Sequence, residues 1–434
     1  MYENHKKLKH IYIGVDCHKH THTAAIINAF KDELDLITFN NDKTGFDSLI
    51  NLVSKYLDEN ITPVYGLEDC KHLGHALSGY LLSKNCNVKV VNATYTYNER
   101  KANPIISKTD NIDALSIAKV TLDKLDTLPN ATTDDIYWTL KQVSKMRNVI
   151  TNNILICKNK LHAQLLHHYP DYQKFFSDSA STTALTFWET YPNPNILKST
   201  PINEVRDLLC KTSKNTFKPS KTKYILELVD NYGYATNEYQ QERDTIIKTL
   251  VKQLKYNREQ LEIIDEEIAV IVEKTGYKLH TFIGIDKVLA AKIISEIGNI
   301  DRFPNANKLA RYAGIAPISF SSGSKDKEVN NKYGNRALNS YIFIIACVSI
   351  SPGGRTNTKL CSPIFLDYYL KKISEGKTKH QALLQVMRRI INIIYGMMKN
   401  RTEYVHPQEL DNKFQKIHRA RIDKERQEQE KSKK

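Results

Sequence analysis

Ile11-Tyr12-Ile13-Gly14-Val15-Asp16 leads through Cys17-His18-Lys19-His20-Thr21-His22 into Thr23-Ala24-Ala25-Ile26-Ile27, and the N-terminal fold turns on this passage. Its two ends are short, apolar and rich in β-branched residues, and its middle is polar. That pattern predicts strands at Ile11–Asp16 and Thr23–Ile27, joined by a turn at His18–His22. Further out, Thr62–Leu67 and Asn87–Val91 are also β-rich runs. Between them, Gly45–Leu57 and His72–Ser83 carry apolar residues at helical spacing. Strands alternating with helices predict an α/β sheet domain over residues 1–128.

Beyond it the period becomes helical. From Asp134 to about His168, Leu140, Val143, Met146, Ile150, Ile154, Cys157, Leu161 and Leu165 recur at spacings of three and four. From Tyr239 to Lys274, Ile246, Leu250, Leu254, Leu261, Ile264, Ile268 and Ile271 do the same. Two long amphipathic helices flanking a turn-rich segment predict a coiled-coil hairpin or bundle with a small helical insert, over 129–274. Residues 275–405 alternate Gly-containing turns with short helices, predicting a mainly helical C-terminal domain; 406–434 is a charge-dense tail. The fold class expected is therefore α/β plus all-α.

The 434 residues carry 63 Lys+Arg against 48 Asp+Glu, a formal net charge of +15. Such a surplus favours polyanions, because each neutralised phosphate releases condensed counterions. The N-terminus is polar and basic, without a signal-peptide pattern. The longest nearly apolar run, Tyr341–Ile350, is half the ~20 residues that a membrane span needs. A cytoplasmic protein with no membrane partner is expected. The cysteines number seven, scattered and without a CxxC pair, which argues against structural zinc and a disulfide framework.

Four carboxylates stand out. Asp16 and Glu68 each end a predicted strand, and Asp110 and Asp113 lie three apart in Lys108-Thr109-Asp110-Asn111-Ile112-Asp113. On a helix, an i,i+3 pair shares a face. Four gathered carboxylates repel unless a cation intervenes, and hard oxygen ligands suit Mg²⁺ or Mn²⁺ in phosphodiester chemistry. The plain alternative is four solvated surface acids. Cys17, His18, His20 and His22 read as solvent-exposed polar residues near this site rather than a metal cluster, with His18 or Lys19 within reach of a phosphate.

In Leu279–Ile294 a turn at Gly284 followed by Asp286 resembles half of a helix–hairpin–helix, with Asp286 as a helix cap; a purely structural turn reads equally well. In Pro317–Lys327, Ser319, Ser321, Ser322 and Ser324 surround Gly323 in what reads as an exposed loop. Lys325, Lys327, Lys332 and Arg336 follow it as candidate phosphate contacts. A serine attacks phosphorus only when a base, metal or cationic surround assists it; a Ser/Gly loop alone is a flexible turn.

Taken together, the chain resembles the DEDD transposases of the insertion-sequence 110 family, the bridge-RNA-guided recombinases. Gly14-Val15-Asp16-Cys17-His18-Lys19-His20-Thr21, Gly66-Leu67-Glu68, Lys108-Thr109-Asp110 and Asp113-Ala114 resemble the family's acidic motifs. Leu309-Ala310-Arg311-Tyr312-Ala313-Gly314-Ile315-Ala316-Pro317, Ser322-Gly323 and Gly334-Asn335-Arg336 resemble its second domain, as do Gly376-Lys377 and Ala382-Leu383.

The resemblance implies an RNase H-like (RuvC-like) domain holding Mg²⁺ or Mn²⁺ through Asp16, Glu68, Asp110 and Asp113. It implies a serine nucleophile at Ser322, with Ser321 and Ser324 as neighbouring alternatives, and a covalent serine–DNA link. It also implies a homo-oligomer, dimer or tetramer, assembled through the long helices, and a noncoding guide RNA that pairs with donor and target DNA. Cys17, His18 and Asp286 depart from the family pattern. The resulting expectation is a DNA transposase. Its rivals are a RuvC-like junction endonuclease that uses water, and an inactive nucleic-acid-binding remnant.

Overall fold

The computed structural model describes residues 6–70, 72–102, 108–132, 136–232, 238–316, 318–322, 325–329, 334–351 and 362–405. The chain divides into two compact units, Met1–Trp138 and Thr139–Lys434. In the first, strands β1 (His10–Cys17), β2 (Thr21–Ile27), β3 (Glu33–Asn40), β4 (Thr62–Leu67) and β5 (Asn87–Val90) form one sheet in the order β3-β2-β1-β4-β5. β2 runs antiparallel to β1 and β3, whereas β4 is parallel to both β1 and β5. Helices α1 (Lys43–Ser54), α2 (His75–Ser83), α3 (Ala93–Lys101) and α4 (Asp110–Asp123) accompany it.

β1 and β2 are continuous apolar runs because helices cover both faces. Successive β1 side chains alternate between those faces. Ile11, Ile13 and Val15 pack with Phe46 and Leu49 of α1 and Leu77 and Leu81 of α2. Tyr12 packs on the other face, with Ala118 and Leu122 of α4 and Val64 of β4.

That second face also carries Gly14 and Gly66, which lie opposite each other in the β1–β4 register. A Cβ at Gly14 would overlap backbone atoms of Ala114 and Ala118, and one at Gly66 would overlap the Thr121 hydroxyl. α4 therefore rests directly on the sheet backbone at this pair.

β3 and α3 were not anticipated from the sequence. β3 is an edge strand that alternates but contains Glu33 and Asp35, poor strand formers, and buries only Phe39. α3 buries only Thr96, so it offers no apolar period to read.

The second unit is mostly helical. The long helices α5 (Ile136–His168) and α10 (Gln240–Thr275) bracket four short ones, α6 (Thr182–Thr190), α7 (Pro194–Ser199), α8 (Ile202–Thr212) and α9 (Pro219–Tyr232). α5 and α10 run antiparallel: Arg147 pairs with Asp265 (Nη2–Oδ2 3.0 Å), and the Cys157 thiol donates to Gln253 Oε1 at 3.4 Å. The buried apolar residues of α10 are Ile247, Leu250, Val251 and Leu254 in its first half and Ile268 and Val272 near its end, while Ile246 is exposed, as is Met146 on α5. The expected insert has its own aromatic core of Tyr169, Phe175, Phe187 and Trp188, closed by Leu161 and Leu165 of α5 and Leu254 of α10. Trp188 Nε1 donates to the Ser179 carbonyl at 2.9 Å, so even its polar edge is satisfied.

Further along come α11 (Lys287–Ile297), α12 (Ala306–Tyr312), the hairpin β6 (Ile318–Ser322) and β7 (Lys325–Val329), α13 (Arg336–Ile350), α14 (Pro363–Ser374) and α15 (Lys379–Asn400). The apolar run Tyr341–Ile350 lies in α13, which buries Ile342 and Ile345. Among the described residues no helix is long and apolar enough to cross a membrane. The expected tail, 406–434, lies outside the described residues.

Two alanine substitutions separate close packing from backbone entropy. Gly14→Ala forces α4 off the sheet and should cost about 3 kcal/mol of stability. Gly79→Ala, within α2 and with open space around it, should add about 0.5–1 kcal/mol. Urea unfolding of both variants checks the opposite signs; a neutral Gly14→Ala would refute the contact.

Candidate active site

Asp16 belongs to the same face of β1 as Tyr12 and Gly14, two residues beyond the glycine. Glu68 stands in the same relation to Gly66 and follows the last residue of β4. Because Gly14 pairs with Gly66 across parallel strands, both carboxylates leave the sheet at one edge. α4 begins at that edge. Thr109 caps it, its hydroxyl accepting the Ile112 N–H at 3.3 Å, and Asp110 and Asp113 occupy the first turn. Negative charge is favoured there by the helix dipole.

The structure thus brings the four sequence-predicted carboxylates together. Asp16 is 9% exposed. Burial pushes its carboxyl above the usual range; His18 opposes the shift, and the charges of Asp113, Asp110 and Glu68 add to it. The cluster has been supplied with cationic and hydrogen-bonding partners. His18 Nε2 lies 3.2 Å from Asp16 Oδ2 and 3.4 Å from Asp110 Oδ1. Ligand atoms of Asp16, His18 and Asp110 all lie within 4.8 Å of one another.

The sequence reading missed α3 and with it two residues of the site. Thr96 donates its hydroxyl to Glu68 Oε1 at 2.7 Å, and Arg100 forms an ion pair with Asp113. The two are four residues apart, so one face of α3 reaches two of the four carboxylates. A Thr-x-x-x-Arg spacing is too common to have signalled this alone.

The expectation of solvent-exposed polar residues at Cys17–His22 needs correction. His20 is exposed, but Cys17 and His22 are buried and His18 is half-buried. His22 stacks on Phe46 and meets Phe39 edge-on, with ring centroids 6.2 and 5.5 Å away. Burial holds its pKa below the ordinary value, so it stays neutral at physiological pH. Its Nδ1 accepts the His18 N–H at 3.2 Å, which fixes the turn that carries His18. The physical reason is that β2 is an inner strand whose residues from His22 to Ile27 are all buried.

In the second unit, the stretch read as an exposed serine loop is a hairpin. Ser319, Ser321 and Ser322 belong to β6 and Lys325 and Lys327 to β7, with Ser322 opposite Lys325. Gly323, Ser324 and Lys332 lie outside the described residues. Arg336 is exposed and opens α13, which Asn335 caps by accepting the Leu338 N–H at 2.9 Å. The Asn335 amide also donates to Glu296 Oε2 at 2.7 Å and to the Tyr312 hydroxyl at 3.1 Å. Gly334 packs so closely on Gly314 that a Cβ would strike its backbone, and both line a cavity of about 320 Å³ beside Arg336. Asp286 caps α11 as expected, accepting the Leu289 N–H at 2.7 Å, after a left-handed Gly284 at φ 80°.

Comparison with known proteins agrees in both halves. Residues 13–170 match the IS110 DEDD transposase model, described as Transposase, and residues 276–359 match the model described as Transposase IS116/IS110/IS902 family. The chain is 25% identical over 311 residues to the uncharacterized 43.6 kDa protein of insertion element IS110 from Streptomyces coelicolor, covering 69% of this chain and 72% of that one. It is 22% identical over 395 residues to the uncharacterized 44.8 kDa protein of insertion element IS116 from Streptomyces clavuligerus, covering 90% and 95%. A pilin gene-inverting protein of Moraxella bovis is 31% identical over 123 residues, 28% of this chain and 36% of the relative. With both models matched in chain order, the chain belongs to the IS110 family of transposases.

Proposed function

We propose that this transposase cuts and rejoins DNA through a covalent serine link, with divalent metal held by Asp16, Glu68, Asp110 and Asp113 of an RNase H-like domain. The observation that carries the metal half is the convergence of four carboxylates on a buried Asp16. The residues fit a hard dication: the donors are oxygens, and burial, with the neighbouring carboxylates adding to it, raises the Asp16 pKa even with His18 against it. His18 Nε2 is buried and satisfies no hydrogen bond, although it lies between two carboxylates. Mg²⁺ or Mn²⁺ suits this set best. When bound, the metal would act as a Lewis acid toward phosphoryl oxygens. Thr96 and Arg100 would keep Glu68 and Asp113 oriented, and the α4 N-terminus would favour the anionic state of Asp110 and Asp113.

Ser322 is the proposed nucleophile. Its oxygen bonds to phosphorus while one P–O bond to deoxyribose breaks, and the leaving oxygen departs with the proton as a free hydroxyl. The serine ester retains the phosphodiester energy, so attack by another hydroxyl restores the serine and makes a new junction. Lys325, Lys327, Lys332 and Arg336 would hold the flanking phosphates as point charges or forks. Lys325 is the register partner of Ser322 in the hairpin backbone, and a nearby lysine is the kind of cation that a serine nucleophile needs. We further propose that a noncoding RNA guides the enzyme to donor and target DNA and that the long helices, as a coiled coil, assemble a cytoplasmic dimer or tetramer. Exposed Met146, Val149, Ile246 and Ile263 on those helices support that assembly.

Two measurements test the halves separately. Titrated with Mn²⁺ to about 100 times its Kd, the wild type should gain about 2.7 kcal/mol of stability. Asp16→Asn should weaken Mn²⁺ binding by at least about 100-fold and raise the melting temperature of the metal-free protein, because it removes like-charge repulsion. Equal Mn²⁺ responses would refute the metal assignment. In addition, metal affinity should weaken on acidification from a higher pH than an ordinary Asp would dictate, since the metal competes with a proton on a carboxyl whose pKa is raised.

The serine is tested by trapping protein–DNA adducts on denaturing gels, from the chain expressed with its own element. The adduct should persist in Ser321→Ala and Ser324→Ala and vanish in Ser322→Ala. Cleavage without an adduct in the wild type would instead establish metal-activated water as the nucleophile.

A further inference from the structure

The helical insert contains a cavity of about 640 Å³ between the start of α6 and the α8–α9 connection. The two walls differ chemically. On the α6 side, Ser181 caps the helix, its oxygen accepting the Ala184 N–H at 3.3 Å. The hydroxyl hydrogens of Ser181, Thr182 and Thr183 have no acceptor among the described residues. The N–H groups of Thr182 and Thr183, in the first turn, have no intrahelical acceptor either. That wall is a bank of unused donors.

The opposite wall supplies charge. Its hydroxyls already donate to backbone carbonyls, Ser213 to Cys210 at 3.3 Å and Thr216 to Ser213 at 2.7 Å, so they hold the loop in shape. Lys214 and Lys221 line the cavity there. They belong to the acid-free run Cys210–Tyr224, which has five lysines: Lys211, Lys214, Lys218, Lys221 and Lys223. No carboxylate pairs with any of the five among the described residues. Lys221 donates one hydrogen bond to the Lys174 carbonyl at 2.6 Å and lies 4.6 Å from the centroid of the Tyr224 ring, so no carboxylate neutralises it. The nearest acid in sequence to the α6 wall, Asp178, is already engaged by Lys158 at 3.0 Å and by the Ala180 N–H.

Donors on one side and unpaired ammonium groups on the other recognise an anion rich in acceptor oxygens, such as a phosphate. Half-buried Phe217 also lines the cavity, 5.7 Å from the Phe176 ring, and offers an aromatic surface. A base stacks on such a ring only when it is unpaired. The cavity has room for a phosphate and one nucleoside but is far too small for a duplex. The remaining lysines continue the positive surface beyond it, as a chain of phosphates would require rather than a single small anion.

We propose that this cavity is a single-strand nucleic-acid contact, in which the α6 hydroxyls and Lys214 and Lys221 hold backbone phosphates and Phe217 takes one unpaired base. It rests on the reading of the chain as a polynucleotide-binding enzyme, but it uses none of the four carboxylates and none of the hairpin serines.

The test measures binding of the full chain to labelled strands of about 20 nucleotides, as DNA and as RNA, between about 50 and 200 mM salt. A duplex of the same sequence is titrated alongside. In Lys214→Ala/Lys221→Ala, single-strand affinity should fall by about tenfold, and the salt slope should shrink by about 1.4, or 0.7 per lost phosphate contact. Duplex affinity should stay constant, and an unchanged melting temperature confirms that the fold is intact. A loss confined to RNA identifies the guide as the occupant, and one confined to DNA identifies a displaced strand; either supports the site. Photo-crosslinks from a 4-thiouridine or 4-thiothymidine strand should map to 175–183 or 212–221. Unchanged single-strand binding, or equal loss on the duplex, overturns the proposal and leaves the enzyme assignment standing. A wild type that binds no strand at all overturns both.

Discussion

Everything in the N-terminal unit depends on how closely one helix approaches one pair of strands. Gly14 and Gly66 face each other across β1 and β4, and without Cβ atoms they let α4 sit on the sheet backbone through Ala114, Ala118 and Thr121. The contact fixes α4 in height and in register. With Ala114 and Ala118 lodged over β1, the first turn of α4 has to fall at the sheet edge that Asp16 and Glu68 leave. A helix riding one side-chain layer higher would carry Asp110 and Asp113 away from Asp16. The same two glycines thus determine core packing and the geometry of the acidic cluster.

Gathering four carboxylates has an electrostatic cost that the fold meets only in part. The α4 N-terminus contributes partial positive charge, Arg100 pairs with Asp113, Thr96 gives Glu68 a hydrogen bond, and His18 lies against Asp16 and Asp110. The four partners come from three elements: α4 itself, α3, which supplies both Thr96 and Arg100, and the β1–β2 turn anchored on buried His22. Asp16, the most buried of the four, has its proton affinity raised, chiefly by that burial and further by the charges of Asp113, Asp110 and Glu68. A cluster balanced in this way leaves room for the dication proposed above. That arrangement is expected of a binding site and would be poor design for a purely structural ion-pair network.

Much of this was legible in the sequence because the inner strands are apolar on both faces and the long helices keep their period. The strand-terminal positions of Asp16 and Glu68 and the helical i,i+3 spacing of Asp110 and Asp113 were readable for the same reason. The glycine pair was not, since Gly14 and Gly66 acquire meaning only once β1 and β4 are aligned in parallel. α3 was invisible because its role is polar: Thr96 and Arg100 answer to Glu68 and Asp113 rather than to a core. His22 misled for the opposite reason. A histidine within a polar-looking turn reads as exposed, yet it begins the buried run of β2 and fills the space between Phe39 and Phe46. The serine segment looked like a loop because Ser and Gly are turn formers, but β6 and β7 pair in register across it.

The distribution of charge along the chain carries the argument one step further. A net charge of +15 would swamp an acidic site if it were spread evenly, and the acidic cluster would attract lysines in place of metal. Instead, five lysines are concentrated in the run Cys210–Tyr224, within an insert that has its own aromatic core. Within the N-terminal unit, Lys6 and Lys31 are paired with Asp126 and Asp123 at the far end of α4 from Asp110. Lys6 and Lys31 are thereby engaged by acids at one end of the helix, while Arg100 pairs with Asp113 at the other. The alignment also suits the α4 dipole only in part, since Asp123 sits at the C-terminal end where negative charge is disfavoured and needs the Lys31 partner. Segregation of charge is therefore a condition of the site, as much as the close packing that assembles it.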